Sequence, residues 1–337
     1  MNIAITGGGT GGHLSVANAL KIELNKRGLK PIFIGSKNGQ DREWFENDNG
    51  FKKSYFLDSK GVVNKKGFKK ISAIKEILDS GFACRDIFKK EFIDVLFSVG
   101  GYSAAPASFA AILTKTPLFI HEQNAAVGKL NRLLKPFAKE FFSSYEENSK
   151  VKDYPVREIF FDLQRERSDL KTIIFLGGSL GANAINNLAL SCAKEILDLD
   201  INIIHQTGKK DFSICREFYN KNNLKVDCFD FSKNLEKKIQ KADFAVSRAG
   251  ASTLWELCAN TLPTLFIPYP YAASNHQYYN AKTLIDKEMA LLRMQNEIDS
   301  KILLDIIKSV NIEKISKNLK NSIKPCGIEK IADIILK

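Results

Sequence analysis

A short apolar run, a turn built from glycines and a helix-length stretch follow one another at two places about half a chain apart. The first copy is Ile3-Ala4-Ile5 leading into Gly7-Gly8-Gly9-Thr10-Gly11-Gly12-His13. The second is Thr172-Ile173-Ile174-Phe175-Leu176 leading into Gly177-Gly178-Ser179-Leu180-Gly181-Ala182. Glycines admit positive φ and let backbone amides approach a ligand, and amides at a helix start favour phosphate or another anion. Through most of the chain, short apolar runs alternate with longer amphipathic ones, the pattern of parallel sheets covered by helices. The fold class read from this is α/β, with two similar Rossmann-like domains. Open parallel sheets gather their ligand loops at the carboxyl ends of the strands. Two such domains face to face would place those loops across one cleft.

Strands are expected at 2–6, 31–34, 94–98, 117–120 and 140–143, then at 172–176, 201–206, 225–229, 243–247 and 263–267. Helices are expected at 14–27, 40–48, 70–90, 104–114, 127–136, 182–198, 211–221, 233–240, 252–259, 276–287 and 299–320. The length of 337 residues suits two domains on a prior of roughly 150 residues each. The charged segment 146–168, which carries Pro155, reads as the connection between them, with domains at 1–155 and 156–324. A last helix, within about 325–337, is too short to be a domain and must dock on one of the two.

The net charge of +12 favours anionic partners: nucleotide, nucleic acid or an acidic membrane surface. Six scattered cysteines form no Cys-x-x-Cys pair and no Cys/His cluster at metal-ligand spacing, so reduced thiols and no metal are expected. The chain enters a strand almost at once, and no signal peptide is expected. The uncharged stretch Val95 to Thr114 has the length of a membrane span. Gly100, Gly101, Ser103 and Pro106 interrupt it, and strand, loop and helix is the better reading.

Gly7-x-Gly9-x-x-Gly12 satisfies the dinucleotide fingerprint, which needs an acid after the second strand to hold a ribose. That strand ends in Gly35-Ser36-Lys37, without an acid, which weakens a nicotinamide or flavin role. Neither glycine turn contains the Gly-Lys-Ser/Thr of a P-loop, and a purely structural turn stays open. A third loop, Val99-Gly100-Gly101-Tyr102, also opens a helix. His121-Glu122-Gln123-Asn124 ends the fourth strand with four polar side chains, where Gln123 and Asn124 suit sugar hydroxyls and Glu122 can act as acceptor or base. In the second half, Ser252 and Thr253 follow Ser247-Arg248-Ala249-Gly250 at a helix start. Glu256, one turn later, is placed to accept from two vicinal hydroxyls, as a ribose presents. His276, Gln277 and Asn280 begin a further helix, and His205 reads as structural.

In combination these loops resemble the peptidoglycan glycosyltransferase family that adds N-acetylglucosamine to undecaprenyl-diphospho-muramoylpentapeptide, turning lipid I into lipid II. The resemblance rests on Gly8-Gly9-Thr10-Gly11-Gly12-His13, Gly100-Gly101-Tyr102, His121-Glu122-Gln123-Asn124, Pro155-Val156-Arg157, Gly177-Gly178-Ser179, Gly250-Ala251 with Glu256, and Gln277 with Asn280, in family order. It implies the two-domain GT-B architecture with the C-terminal helix returning to the first domain. It also implies UDP-N-acetylglucosamine as donor, inversion at the anomeric carbon, a β-1,4 product, no cofactor and no essential metal. Donor contacts implied by motif match fall on Thr10, Gly11, Gly12, Asn124, Arg157, Ser179, Ser252, Thr253, Glu256 and Gln277. Acceptor-side contacts fall on Gly100, Gly101 and Tyr102. The chain departs from the family's usual residues at Tyr154, Leu180 and His276, which leaves contacts at those positions open.

An inverting transfer needs a base for the incoming 4-hydroxyl, and His13 is the expected one, with Glu122 competing. A lipid-linked acceptor requires contact with the anionic cytoplasmic face of the bacterial cell membrane. Lys65, Lys66, Lys69 and Lys70 beside Ile74 and Phe82 form a basic, apolar stretch of that kind, expected to hold the protein there peripherally. Cell-wall synthesis and division proteins are expected among its partners. The alternatives are another UDP-sugar enzyme of the same architecture, such as a UDP-N-acetylglucosamine 2-epimerase, and a non-catalytic nucleotide or nucleic-acid binder. The positive charge alone suggests the last, since no nucleic-acid motif is present.

Overall fold

The structure is a computed structural model and describes residues 1–58, 81–178, 182–232 and 234–337. It divides into two compact units, Met1–Val156 with Cys326–Lys337, and Arg157–Pro325.

The first unit holds a six-stranded parallel sheet of β1 (Ile3–Thr6), β2 (Ile32–Ser36), β3 (Lys53–Leu57), β4 (Val95–Ser98), β5 (Leu118–Glu122) and β6 (Glu140–Ser143), in the order β3-β2-β1-β4-β5-β6. Its helices include α1 (Gly11–Lys26), α2 (Asp41–Phe45), α3 (81–91), α4 (Ala105–Thr114) and α5 (Lys129–Leu134). Strands β1, β2, β4 and β5 are buried along their whole length. That is why they read as unbroken apolar runs rather than alternating ones.

The second unit repeats the plan with β7 (Thr172–Leu176), β8 (Asn202–Gln206), β9 (Val226–Phe229), β10 (Phe244–Ser247), β11 (Thr264–Phe266) and β12 (Leu291–Leu292). Its order, β9-β8-β7-β10-β11-β12, matches that of the first sheet strand for strand. In both sheets the order reverses beside the first strand, between β1 and β4 and between β7 and β10. Crevices at such reversals, outside the strand carboxyl ends, are where open α/β sheets bind ligands. The first glycine turn and Gly177-Gly178 of the second lie there.

Helices α6 (Ile159–Asp162), α7 (Asn183–Asp198), α8 (Phe212–Lys221), α9 (Leu235–Lys241), α10 (Ala251–Ala259), α11 (His276–Ile285), α12 (Ser300–Ser309) and α13 (Ile312–Leu319) complete the second unit. The last helix, α14 (Gly327–Ile335), lies on α1, where Arg27 Nη1 meets Asp333 at 2.6 Å and Arg27 Nη2 donates to the Glu329 carbonyl.

Four expectations change. Strand β3 is an edge strand with an exposed start at Lys53, so it lacks the apolar run that marks the others. Strand β12 is two residues long, too short for a pattern. The single helix expected at 299–320 breaks at extended Val310, and Asn311 caps α13 by accepting from Lys314 N at 2.9 Å. The segment 146–168 is no simple connection: α6 forms within it, and Arg167, 2% exposed, is bound into the second unit. The uncharged stretch Val95 to Thr114 is β4, a turn and α4. Among the described residues no helix is long and apolar enough to cross a membrane.

Candidate active site

In the first unit two glycine loops press together at the sheet reversal. Gly8 N donates to the Gly100 carbonyl at 3.1 Å. A Cβ on Gly7 (φ +113°) would stand 2.4 Å from the Gly100 carbonyl oxygen, and one on Gly101 (φ +77°) 2.3 Å from that of Gly8. Backbone of the left-handed type in contact with backbone leaves room only for glycine.

Asp41 holds this arrangement from behind and carried no part in the sequence reading. It is fully buried; Oδ1 accepts from Gly9 N at 2.5 Å and Oδ2 from Ser36 N at 2.9 Å. Burial pushes its carboxyl pKa up, against the backbone hydrogen bonds, which lower it. An acid does follow the second strand, but it serves the protein's own amides. It lies at the start of α2, five residues beyond the end of β2 and outside the position at which the dinucleotide fingerprint places an acid.

Thr10 occupies the N-cap position of α1 in extended conformation, and its hydroxyl lies 2.8 Å from His13 Nδ1. His13 is half-buried. Its neighbour His121 is 1% exposed, and burial first, then the charge of His13, pull its pKa down to about 3. His121 is therefore neutral, with Tyr154 edge-on to its ring at 5.5 Å. Tyr154, the departure before Pro155, is buried packing. Tyr102 lies over Gly9 and donates its hydroxyl to the Asn38 carbonyl at 2.7 Å.

Glu122 is 2% exposed and its carboxylate is occupied. Oε1 accepts from Asn124 N at 3.0 Å, while Oε2 accepts from Gly128 N at 3.0 Å and Asn131 Nδ2 at 2.9 Å. Gln123, also buried, donates to the Val99 carbonyl at 2.7 Å. The polar run after β5 thus spends Glu122 and Gln123 on shaping the loop and leaves Asn124 half-buried at its surface.

In the second unit α10 starts with half-buried Ser252 and Thr253, and Glu256 lies one turn on. Burial pushes the Glu256 carboxyl up to about 7; Arg157 opposes this and Glu236 adds to it. Arg157 forms an ion pair with Glu236 at 3.1 Å and lies over the Phe160 ring. Gln277 Oε1 accepts from Tyr269 N at 2.9 Å, and buried Asn280 donates to the Ala249 carbonyl at 3.1 Å. His276 Nδ1 lies 2.8 Å from the Ala273 carbonyl, beside Ser274 and Asn275, both of positive φ. Arg248, quoted above within its loop but given no role, donates to the Ile267 and Pro268 carbonyls and to Gln295 Oε1 at 2.7 Å. It fixes the start of the loop on which Gln277 acts.

His205 is structural: it is fully buried between Tyr219 OH, 2.8 Å from Nδ1, and Asn186 Oδ1, 3.1 Å from Nε2. Ser179 and Leu180 in the second glycine turn, and Lys65, Lys66, Lys69, Lys70 and Ile74, lie outside the described residues. Phe82 is described and is 59% exposed. Among the described residues no three His, Cys, Asp or Glu side chains group as metal ligands.

Residues 3–143 match the model of the glycosyltransferase family 28 N-terminal domain and residues 172–335 that of the C-terminal domain. A UDP-N-acetylglucosamine--N-acetylmuramyl-(pentapeptide) pyrophosphoryl-undecaprenol N-acetylglucosamine transferase from Campylobacter fetus is 55% identical over 335 residues, 99% of each chain. The chain belongs to glycosyltransferase family 28. A transferase of the same name from a Nitratiruptor species is 52% identical over 337 residues, covering 100% of this chain and 99% of its own. The crystal structure of Acinetobacter baumannii MurG superposes with a TM-score of 0.81 at 26% identity, covering 99% of both chains. A UDP-N-acetylglucosamine 2-epimerase from Neisseria meningitidis, at 14% identity and a TM-score of 0.64 over the full length of both chains, shares the fold alone. The comparisons thus favour the family 28 transferase over the epimerase.

Proposed function

We propose that the chain transfers N-acetylglucosamine from UDP-N-acetylglucosamine to the 4-hydroxyl of the muramoyl sugar of undecaprenyl-diphospho-muramoylpentapeptide, making lipid II from lipid I in peptidoglycan synthesis. The carrying observation is the full-length 55% identity to a transferase of that name. The test is release of UDP with and without a lipid I analogue. Release that needs the analogue and yields a disaccharide-linked product supports the transferase. Release without it, with 2-epimerised sugar, would support an epimerase instead, and binding without turnover a non-catalytic role.

His13 is the proposed base. With Nδ1–H donated to Thr10 Oγ1, Nε2 keeps its lone pair for the proton of the attacking hydroxyl. Glu122, expected above as a competitor, is better read as the clasp of its loop, since a base needs a lone pair aimed at substrate and its oxygens are engaged by the loop's own donors. If His13→Ala kept near-normal turnover while Glu122→Ala lost it, these roles would reverse.

In this reading Thr10, Gly11, Gly12 and Asn124 contact the donor from the first unit, and Gly100, Gly101 and Tyr102 shape the acceptor side. In the second unit Glu256 takes the two ribose hydroxyls, Gln277 the sugar, and Arg157 with the amides around Ser179, Ser252 and Thr253 the diphosphate. A single helix start contributes on the order of 0.3 to 2 kcal/mol toward an anion, so stabilising the leaving UDP without a metal takes several of these groups together.

A lipid-bound acceptor places the work at the anionic cytoplasmic face of the cell membrane, where cell-wall synthesis and division proteins are the expected neighbours. Exposed Phe82 and the net charge of +12 support a peripheral contact there. Reversing the charges of Lys65, Lys66, Lys69 and Lys70 should abolish flotation with anionic liposomes; unchanged flotation would remove the proposal.

A further inference from the structure

One arginine in the second unit is held by a buried acid and an aromatic ring. Arg157 gives Nη2 to Glu236 Oε2 at 3.1 Å, its guanidinium carbon lies 5.0 Å from the Phe160 ring centroid, and its charge reaches Glu256. The Glu236 side chain is 8% exposed and stands in the first turn of α9. Exposed ion pairs contribute little, but a carboxylate this buried is costly to leave without its cation. The arginine is thus gripped from one side by the acid and from another by the ring.

We infer that Glu236 is a positioning residue for donor binding: with the Phe160 ring it fixes the Arg157 guanidinium that the donor's diphosphate meets, and its own charge acts on Glu256. This rests on the reading that Glu256 accepts from the donor's ribose. Arg157, on the segment leading into α6, and Glu236, on α9, are the charged groups that act on Glu256 among the described residues. The ionised carboxylate accepts from both vicinal hydroxyls, whereas the protonated form turns one oxygen into a donor. Donor affinity should therefore rise as pH rises through about 7, where burial has placed Glu256. Glu236→Gln keeps an acceptor oxygen for Arg157 and removes the charge. Glu236→Ala removes both.

The experiment is calorimetric titration of the full chain with UDP-N-acetylglucosamine from pH 5 to 9, for the wild type, E236Q, E236A and E256Q. The diphosphate diester of this ligand does not titrate in that range. The midpoint of the affinity rise is independent of the fraction of protein that is folded. E236Q should lower that midpoint by about half a unit, which is about threefold tighter binding on the acid side. E236A should weaken binding about tenfold at pH 8.5 through the displaced arginine, with Gln recovering most of the loss. E256Q should abolish the midpoint. If E256Q abolishes it while E236Q leaves it unmoved, or if Ala and Gln weaken binding equally at pH 8.5, the role of Glu236 is overturned and the ribose reading stands. If the midpoint persists in E256Q, the ribose reading itself fails.

Discussion

The two units share one sheet order but gather the backbone at their helix ends with side chains of opposite charge. In the first, buried carboxylates gather backbone amides ahead of helices: Asp41 takes Gly9 N just before α1, and Glu122 takes Gly128 N at the start of α5. In the second, guanidinium groups gather carbonyls where helices end. Arg167 donates to the carbonyls of Ile239 and Ala242 at the end of α9 and of Asn260 at the end of α10, and to Asn260 Oδ1. Arg165 adds the Gln240 carbonyl at 2.7 Å. Each matches the helix end it serves, since amides at a start attract anions and carbonyls at an end attract cations. A repeated fold therefore leaves the chemistry of its supports undetermined. The acids stand behind the loops that carry His13 and Asn124, and the arginines secure helices α9 and α10 of the second unit.

The largest effect is expected at Arg167, the most heavily bonded of these groups. Arg167→Met strands several buried carbonyls at once, each costing about 1–3 kcal/mol when unsatisfied. Unfolding in denaturant should show a loss of about 4 kcal/mol. Arg167→Lys should recover little, because a point charge cannot span the same fork of acceptors. Burial pulls the Arg167 pKa down to about 9, so the group stays charged at neutral pH and the loss should be the same at pH 6 and pH 8. Asp41→Ala frees two buried amides and should cost about 2 kcal/mol. Beyond stability, it should lower kcat by loosening the glycine turn beside His13, as steady-state kinetics on the folded variant would show. Glu122→Gln keeps most of the clasp and exchanges one acceptor oxygen for a donor, for a loss of about 1 kcal/mol in the same unfolding measurement. The smallest effect is a condition rather than a mutation. With Glu256 held up to about 7, the donor KM should fall severalfold between pH 6 and pH 8, and a flat profile would remove Glu256 from ribose recognition.

Both sheets were legible in the sequence because their central strands are buried on both faces and so appear as continuous apolar runs bounded by glycine. Edge strands β3 and β12 were not, since one carries lysine into its first residue and the other spans two residues. The loops that gather at each sheet reversal were equally readable, because glycine and polar residues concentrate there. What the sequence could not show is which polar side chains the protein uses on itself. Glu122 and Asn124 are near neighbours in one loop, yet Glu122 is 2% exposed with both oxygens held by loop donors, while Asn124 is half-buried with its Nδ2 3.4 Å from Glu122 Oε1. Asp41 and Glu236 sit on helix starts without a motif around them, and only the folded chain brings them to Gly9 and Arg157.

The division of labour between the units has a direct measurement: UDP-N-acetylglucosamine affinity by calorimetry alongside turnover with a lipid I analogue, for His13→Ala and Glu256→Gln at pH 8. The account predicts that His13→Ala binds donor within a few fold of the wild type and loses turnover by about 100-fold or more. It predicts that Glu256→Gln loses donor affinity by about tenfold or more. Donor binding abolished by His13→Ala and untouched by Glu256→Gln would contradict it.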